Sequence, residues 1–137
     1  MSDPGPSPDA GSSEDRIGRL FVVFAAFLMA AGVADAAAAA HADAARELSA
    51  ASLLMTTNAP MIGMVGLGIA CGKLGRASAG IGAVVALVGT ALFSADMLSR
   101  AYGSGSLFAY AAPTGGSLVI AGWTIVGVCG LVAFGRR

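Results

Sequence analysis

Charge is scarce in this sequence. Of its 137 residues, 12% are Asp, Glu, Lys or Arg, about half the ~25% typical of soluble domains. Eight acids and eight bases cannot coat a soluble fold of this size. They also cancel, so the basic stripe that nucleic-acid binding needs is missing. The chain has one histidine, His41, and a haem or zinc site built within one chain needs further nitrogen or sulfur ligands. Two cysteines, Cys71 and Cys129, stand far apart with no C-x-x-C spacing. A P-loop, a nucleophile elbow and a dinucleotide fingerprint after a strand are all missing. The sequence implies no cofactor and no metal.

What remains is apolar. Hydrophobic residues make up 56% of the chain, and the mean hydropathy is +0.78. Uncharged runs cover residues 20–34, 48–72, 77–95 and 101–135. A helix needs about 20 apolar residues to cross ~30 Å of hydrocarbon. The runs therefore predict four crossings, near 17–37, 49–72, 78–98 and 112–135, in an antiparallel all-α bundle over 16–137. The last run is longer than a crossing needs. Its first part, Ala101-Tyr-Gly-Ser-Gly-Ser, is turn chemistry, and Pro113 suits the first turn of the helix that follows. Tyr102, Phe108 and Tyr110 fall at the boundary, where amphipathic rings anchor. Residues 1–15 hold three prolines and four acids with almost nothing to bury, which predicts a disordered tail.

Sidedness follows from the cations. With four crossings, Arg16, Arg19, Lys73, Arg76, Arg136 and Arg137 share one side, while Arg46 and Arg100 lie on the other. Positive residues stay cytoplasmic, so both termini are expected in the cytoplasm of a multipass inner-membrane protein. The first apolar run, with Arg16 and Arg19 before it and A-x-A triplets after it, also has the layout of a secretory signal. The long acidic lead-in argues for a retained helix.

Lipid gives no hydrophobic drive between helices, so small residues must let backbones approach. Gly68 and Gly72 form a G-x-x-x-G step, Gly82 and Gly89 lie on the third span, and Gly115, Gly116 and Gly122 lie on the fourth with Trp123. The same faces suit a homo-oligomer or a membrane partner. A faint internal echo, Ala59-Pro60-x-x-Gly63 against Ala112-Pro113-x-x-Gly116, suggests a duplicated hairpin.

Three polar groups interrupt the apolar pattern. Thr56, Thr57 and Asn58 precede Pro60 at the middle of the second span; broken helices with freed carbonyls line transport paths, and Ser or Thr beside proline also repairs kinks. Asp96 stands one turn before Arg100, either as a proton or cation site or as an ion pair closing a helix end. Asp35, His41, Asp43 and Arg46, with Arg100, make an exterior polar cluster, read as a solvated turn on the membrane. Three functions are then open. The first is a non-enzymatic structural or interaction module, the second a small transporter or ion-conducting subunit using Thr56, Thr57, Asn58 and Asp96, and the third an interfacial lipid-acting enzyme.

The run Gly89-Thr-Ala-Leu-Phe-Ser94, then Ala112-Pro113-Thr-Gly115-Gly116 and Ala121-Gly122-Trp123, resembles the domain of unknown function 423 family of small bacterial inner-membrane proteins. That family's G-A-F-G-A-H element corresponds to Ala36–His41, of which Ala40 and His41 match. The chain departs from the family at Asp96, where a serine is usual, and near Pro60, where a second histidine is usual. The resemblance implies four membrane helices and no established activity.

Overall fold

The computed structural model describes residues 8–135, with side chains over 16–132. It contains four helices: α1 (Pro8–Ala39), α2 (Ala45–Ala70), α3 (Arg76–Ala101) and α4 (Ala111–Gly135). Within them Arg16–Ala39, Ala45–Ala70, Arg76–Ala101 and Ala111–Val132 are long and apolar enough to cross a membrane. The four expected spans are therefore present as helices. α2 starts earlier than expected, at Ala45, and ends two residues short of the expected 72, at Ala70, while the other three are extended at one or both ends. Residues 1–7 and the terminal Arg136-Arg137 lie outside the described residues.

One boundary is corrected. Residues 8–15, expected to be disordered, continue α1 as helix. Once an apolar span has nucleated a helix, each added residue gains a backbone hydrogen bond at little cost. Pro8 also suits a first helical position, since its missing N–H would have no partner there.

The helices pair as two hairpins. α1 packs along α2, α3 along α4, and α2 against α3, which joins the hairpins. α2 and α3 are thus central: across an apolar stretch of 18 residues in each helix, 39% of residues are buried in α2 and in α3 against 17% in α1 and in α4. The core lies where three helices meet, from Phe21 and Ala25 through Ile62, Val65 and Ile69 to Ala79 and Ala83.

Small residues set the seam of each hairpin. In the first, Gly18 faces the backbone of Gly66, Ala25 faces Gly63, and Gly32 faces Met55 and Thr56. In the second, Gly82 meets Gly122, and Gly89 meets Gly115. Each seam repeats at seven-residue spacing (18, 25, 32; 82, 89; 115, 122), so facing residues stay in register over several turns. A β-carbon on Gly82 or Gly89 would lie 2.8 Å or 2.6 Å from the facing carbonyl oxygen. This close backbone contact is how helices associate where solvent supplies no drive.

Several glycines expected in such faces lie elsewhere. Gly72 stands beyond the end of α2 with φ +63° and no neighbour, where it turns the chain. The amides of Lys73 and Leu74 then donate to the Gly68 carbonyl at 2.8 and 3.0 Å, satisfying an end-of-helix acceptor. The three atoms nearest a β-carbon on Gly68 would all belong to Leu74 of that turn, and one on Gly116 would meet nothing. The Gly68–Gly72 step is a helix terminus, not an interhelical face. The internal echo dissolves similarly. Pro60 lies deep inside α2, whereas Pro113 is the third residue of α4, so the matched prolines occupy different depths.

Candidate functional site

Two polar centres are built into the apolar helices, one at mid-depth and one at the end carrying the α1–α2 and α3–α4 connections. At mid-depth, proline at position 60 removes an amide that would have bonded the Thr56 carbonyl. The hydroxyls of Thr56 and Thr57 turn back on the helix, donating to the carbonyls of Ser52 and Leu53 at 2.8 and 2.7 Å. Asn58 is buried, and its Nδ2 donates to the Leu54 carbonyl at 2.7 Å. Its Oδ1 accepts from the indole Nε1 of Trp123, which reaches across from α4 at 2.5 Å. A buried amide and a buried indole each need a partner in an apolar setting, and here each is the other's. Trp123, expected to serve only in the helix contact, is thus the polar link between the two hairpins.

The indole is a built-in reporter, since the chain has one tryptophan. Asn58→Leu is expected to blue-shift its fluorescence and to cost about 1–3 kcal/mol, the usual loss when a buried donor is left unpaired. Unchanged emission and unchanged thermal stability in detergent would contradict the contact.

At the connection end, Asp96 is fully buried in α3. Its Oδ2 accepts from Arg100 Nε at 2.9 Å, one helical turn on. Its Oδ1 accepts from the Ser106 hydroxyl at 2.9 Å and from the Leu107 amide at 2.8 Å. The carboxylate therefore ties the end of α3 to the 102–110 connection. That segment needs a tie, because Gly103, Gly105 and Tyr110 all have positive φ (80°, 76° and 69°). The left-handed region costs a non-glycine residue such as Tyr110 about 1–2 kcal/mol, and the hydrogen bonds around it hold the shape. Tyr102, Phe108 and Tyr110 stand exposed on the same segment.

The exterior cluster separates into parts. His41 and Asp43 are exposed in the turn after α1, while Asp35 is half-buried near the end of α1. Among the described residues, Asp35 Oδ2 and Ser94 Oγ are buried without a hydrogen-bond partner, and no three His, Cys, Asp or Glu side chains converge. Arg46 and Arg100 do come together. With Glu47, Ala50 and Met97 they line a crevice of about 410 Å³ between the start of α2 and the end of α3.

Sequence reasoning missed Ser106 and the Leu107 amide. Ser106 carried a usable signal: a buried carboxylate needs donors, and a serine in the adjacent turn is the nearest hydroxyl. The Leu107 amide carried none, since every residue but proline has one.

No family model matches the chain, and no curated protein or solved structure is similar to it.

Proposed function

We propose that this chain is a non-enzymatic, multipass inner-membrane protein, with both termini cytoplasmic, that acts as a structural or interaction module. The observation that carries this is how the polar residues of α2 are used. Thr56, Thr57 and Asn58 all spend their side chains on internal hydrogen bonds, and Asn58 braces α2 to α4. A transport path would instead need such groups turned toward a polar passage. Asp96 is likewise committed to Arg100 and the neighbouring connection.

The partner in this reading is another helix in the bilayer, from a second copy or a different membrane protein; nucleic acid has no place in it. α4 supplies the surface. Ser117, Ile120, Thr124, Gly127 and Leu131 are exposed at helical spacing on its side away from α3, and Gly127 has open space around it. Small and hydroxyl residues on an apolar helix favour association in lipid. The α1 contacts at Gly18 and Gly32 support retention of the first span in the mature protein, because its removal would bare the facing side of α2. The family resemblance fits the same architecture.

Reconstitution into sealed vesicles tests the reading. Proton and potassium leak is expected to match that of protein-free vesicles, and a cysteine at Thr124 is expected to cross-link within the bilayer. A flux that disappears in Asn58→Leu would contradict the proposal in favour of transport.

A further inference from the structure

The crevice at the connection end has a charge pattern that the module reading leaves unused. Arg100 is fixed from one side, because the buried Asp96 takes its Nε–H at 2.9 Å. A guanidinium has five N–H donors in one plane, so the Nη groups of Arg100 remain, held in orientation, on a side chain that is 42% exposed. Arg46 stands across the crevice from the first turn of α2, with Glu47 next to it. Adjacent helical residues do not face each other, and the Arg100–Asp96 pair uses neither charge. Two guanidinium groups and one carboxylate thus border a space of about 410 Å³, floored by the apolar Ala50 and Met97.

Guanidinium forks match phosphate oxygens in bidentate geometry. A phosphate alone would satisfy the arginines and be repelled by Glu47. A zwitterion carrying a phosphate and a nearby ammonium satisfies all three, and its apolar end can run down Met97 into the bilayer. The exposed aromatic rings on the 102–110 connection mark this end as one suited to the headgroup level.

We infer that this crevice is a binding site for one phospholipid with a phosphoethanolamine headgroup, the phosphate lying between Arg46 and Arg100 and the ammonium at Glu47. The inference rests on the membrane reading above. The two fail differently, since loss of the membrane reading would appear as a protein soluble without detergent, whatever lipid it binds.

The test is native mass spectrometry of the full-length protein in detergent, titrated separately with phosphatidylethanolamine, phosphatidylglycerol and soluble phosphoethanolamine. One phosphatidylethanolamine is expected to bind about tenfold more tightly than phosphatidylglycerol, consistent with one charge-assisted hydrogen bond. Arg46→Gln is expected to weaken both lipids about tenfold, and Glu47→Gln to bring their affinities together. Equal affinity of the wild type for the two lipids, or unchanged binding in Arg46→Gln, would overturn the site. Soluble phosphoethanolamine binding as tightly as the lipid would overturn the lipid assignment and point to a free phosphate compound. Arg46 and Glu47 are not buried, so both variants are expected to fold, as their unchanged thermal transitions would show.

Discussion

Replacing Gly122 with valine is expected to break the second hairpin. A β-carbon at this position would lie 2.5 Å from the Ala86 amide nitrogen and 2.6 Å from the Gly82 carbonyl oxygen. Both are backbone atoms of α3, so no side-chain rotation can relieve the clash, and the helices must separate. Separation at Gly122 also draws Trp123 away from Asn58, uncoupling α4 from α2. Inserting bulk into a well-packed core typically costs 1–3 kcal/mol; with backbone on the facing side, about 3 kcal/mol or more is expected here. In a chain of this length that is a fall of about 10 °C in the thermal midpoint measured in detergent. Gly116→Val is the control, because open space surrounds that position on the same helix. Valine there should leave the midpoint within about 1–2 °C, since surface substitutions usually fall within ±0.5 kcal/mol. Equal effects at the two positions would mean that α4 does not meet α3 along the Gly115–Gly122 face.

Asp96→Asn is expected to release the 102–110 connection while leaving the helices paired. Asparagine is nearly the same size and keeps one acceptor oxygen, but it removes the charge that Arg100, Ser106 and the Leu107 amide all address. Charge-assisted hydrogen bonds are roughly twice as strong as neutral ones, so opening of this segment should become about 10- to 100-fold more frequent. Hydrogen exchange at the Leu107 amide reads this directly. The segment should also become a site of proteolytic nicking, with Tyr102, Leu107, Phe108 and Tyr110 already exposed along it. Replacing Ser106 with alanine removes one of the three donors and should give a smaller increase in the same direction. If Asp96→Asn leaves Leu107 exchange unchanged, Asp96 does not anchor the connection, and its burial needs another explanation.

The spans were legible in the sequence because they depend on a sum: charge is confined to short clusters, and the apolar runs between them are of membrane length. The tight approach at Gly82, Gly89, Gly115 and Gly122 was legible for a related reason, since small residues on apolar helices serve few other purposes. What the sequence could not give was rotation. A helix that is hydrophobic around most of its circumference has no polar face to mark its outside. Gly116, which meets nothing, and Gly115, which meets the Gly89 carbonyl, are therefore indistinguishable by type. The first hairpin's own glycines, Gly18 and Gly32, went unnoticed for the same reason, while the conspicuous Gly68–Gly72 step proved to be a helix end.

The polar centres were half legible. That Asn58 and Asp96 must find partners follows from their chemistry; which partner depends on topology. Trp123 lies 65 residues from Asn58, and only the packing of one hairpin on the other brings them together. The grip on the Leu107 amide depends on left-handed backbone at Gly103, Gly105 and Tyr110. Glycine announces such a conformation, and tyrosine does not.

The central proposal is that four helices thread a membrane, with the α2–α3 connection in the cytoplasm and the other two connections outside. Single cysteines at His41, Gly75 and Ser104, each in a chain whose Cys71 and Cys129 have been replaced by serine, test it in intact cells with a membrane-impermeant thiol reagent. Labelling is expected at 41 and 104 without lysis, and at 75 only after the membrane is opened. Labelling of all three positions in intact cells, or of 75 alone, would contradict the account.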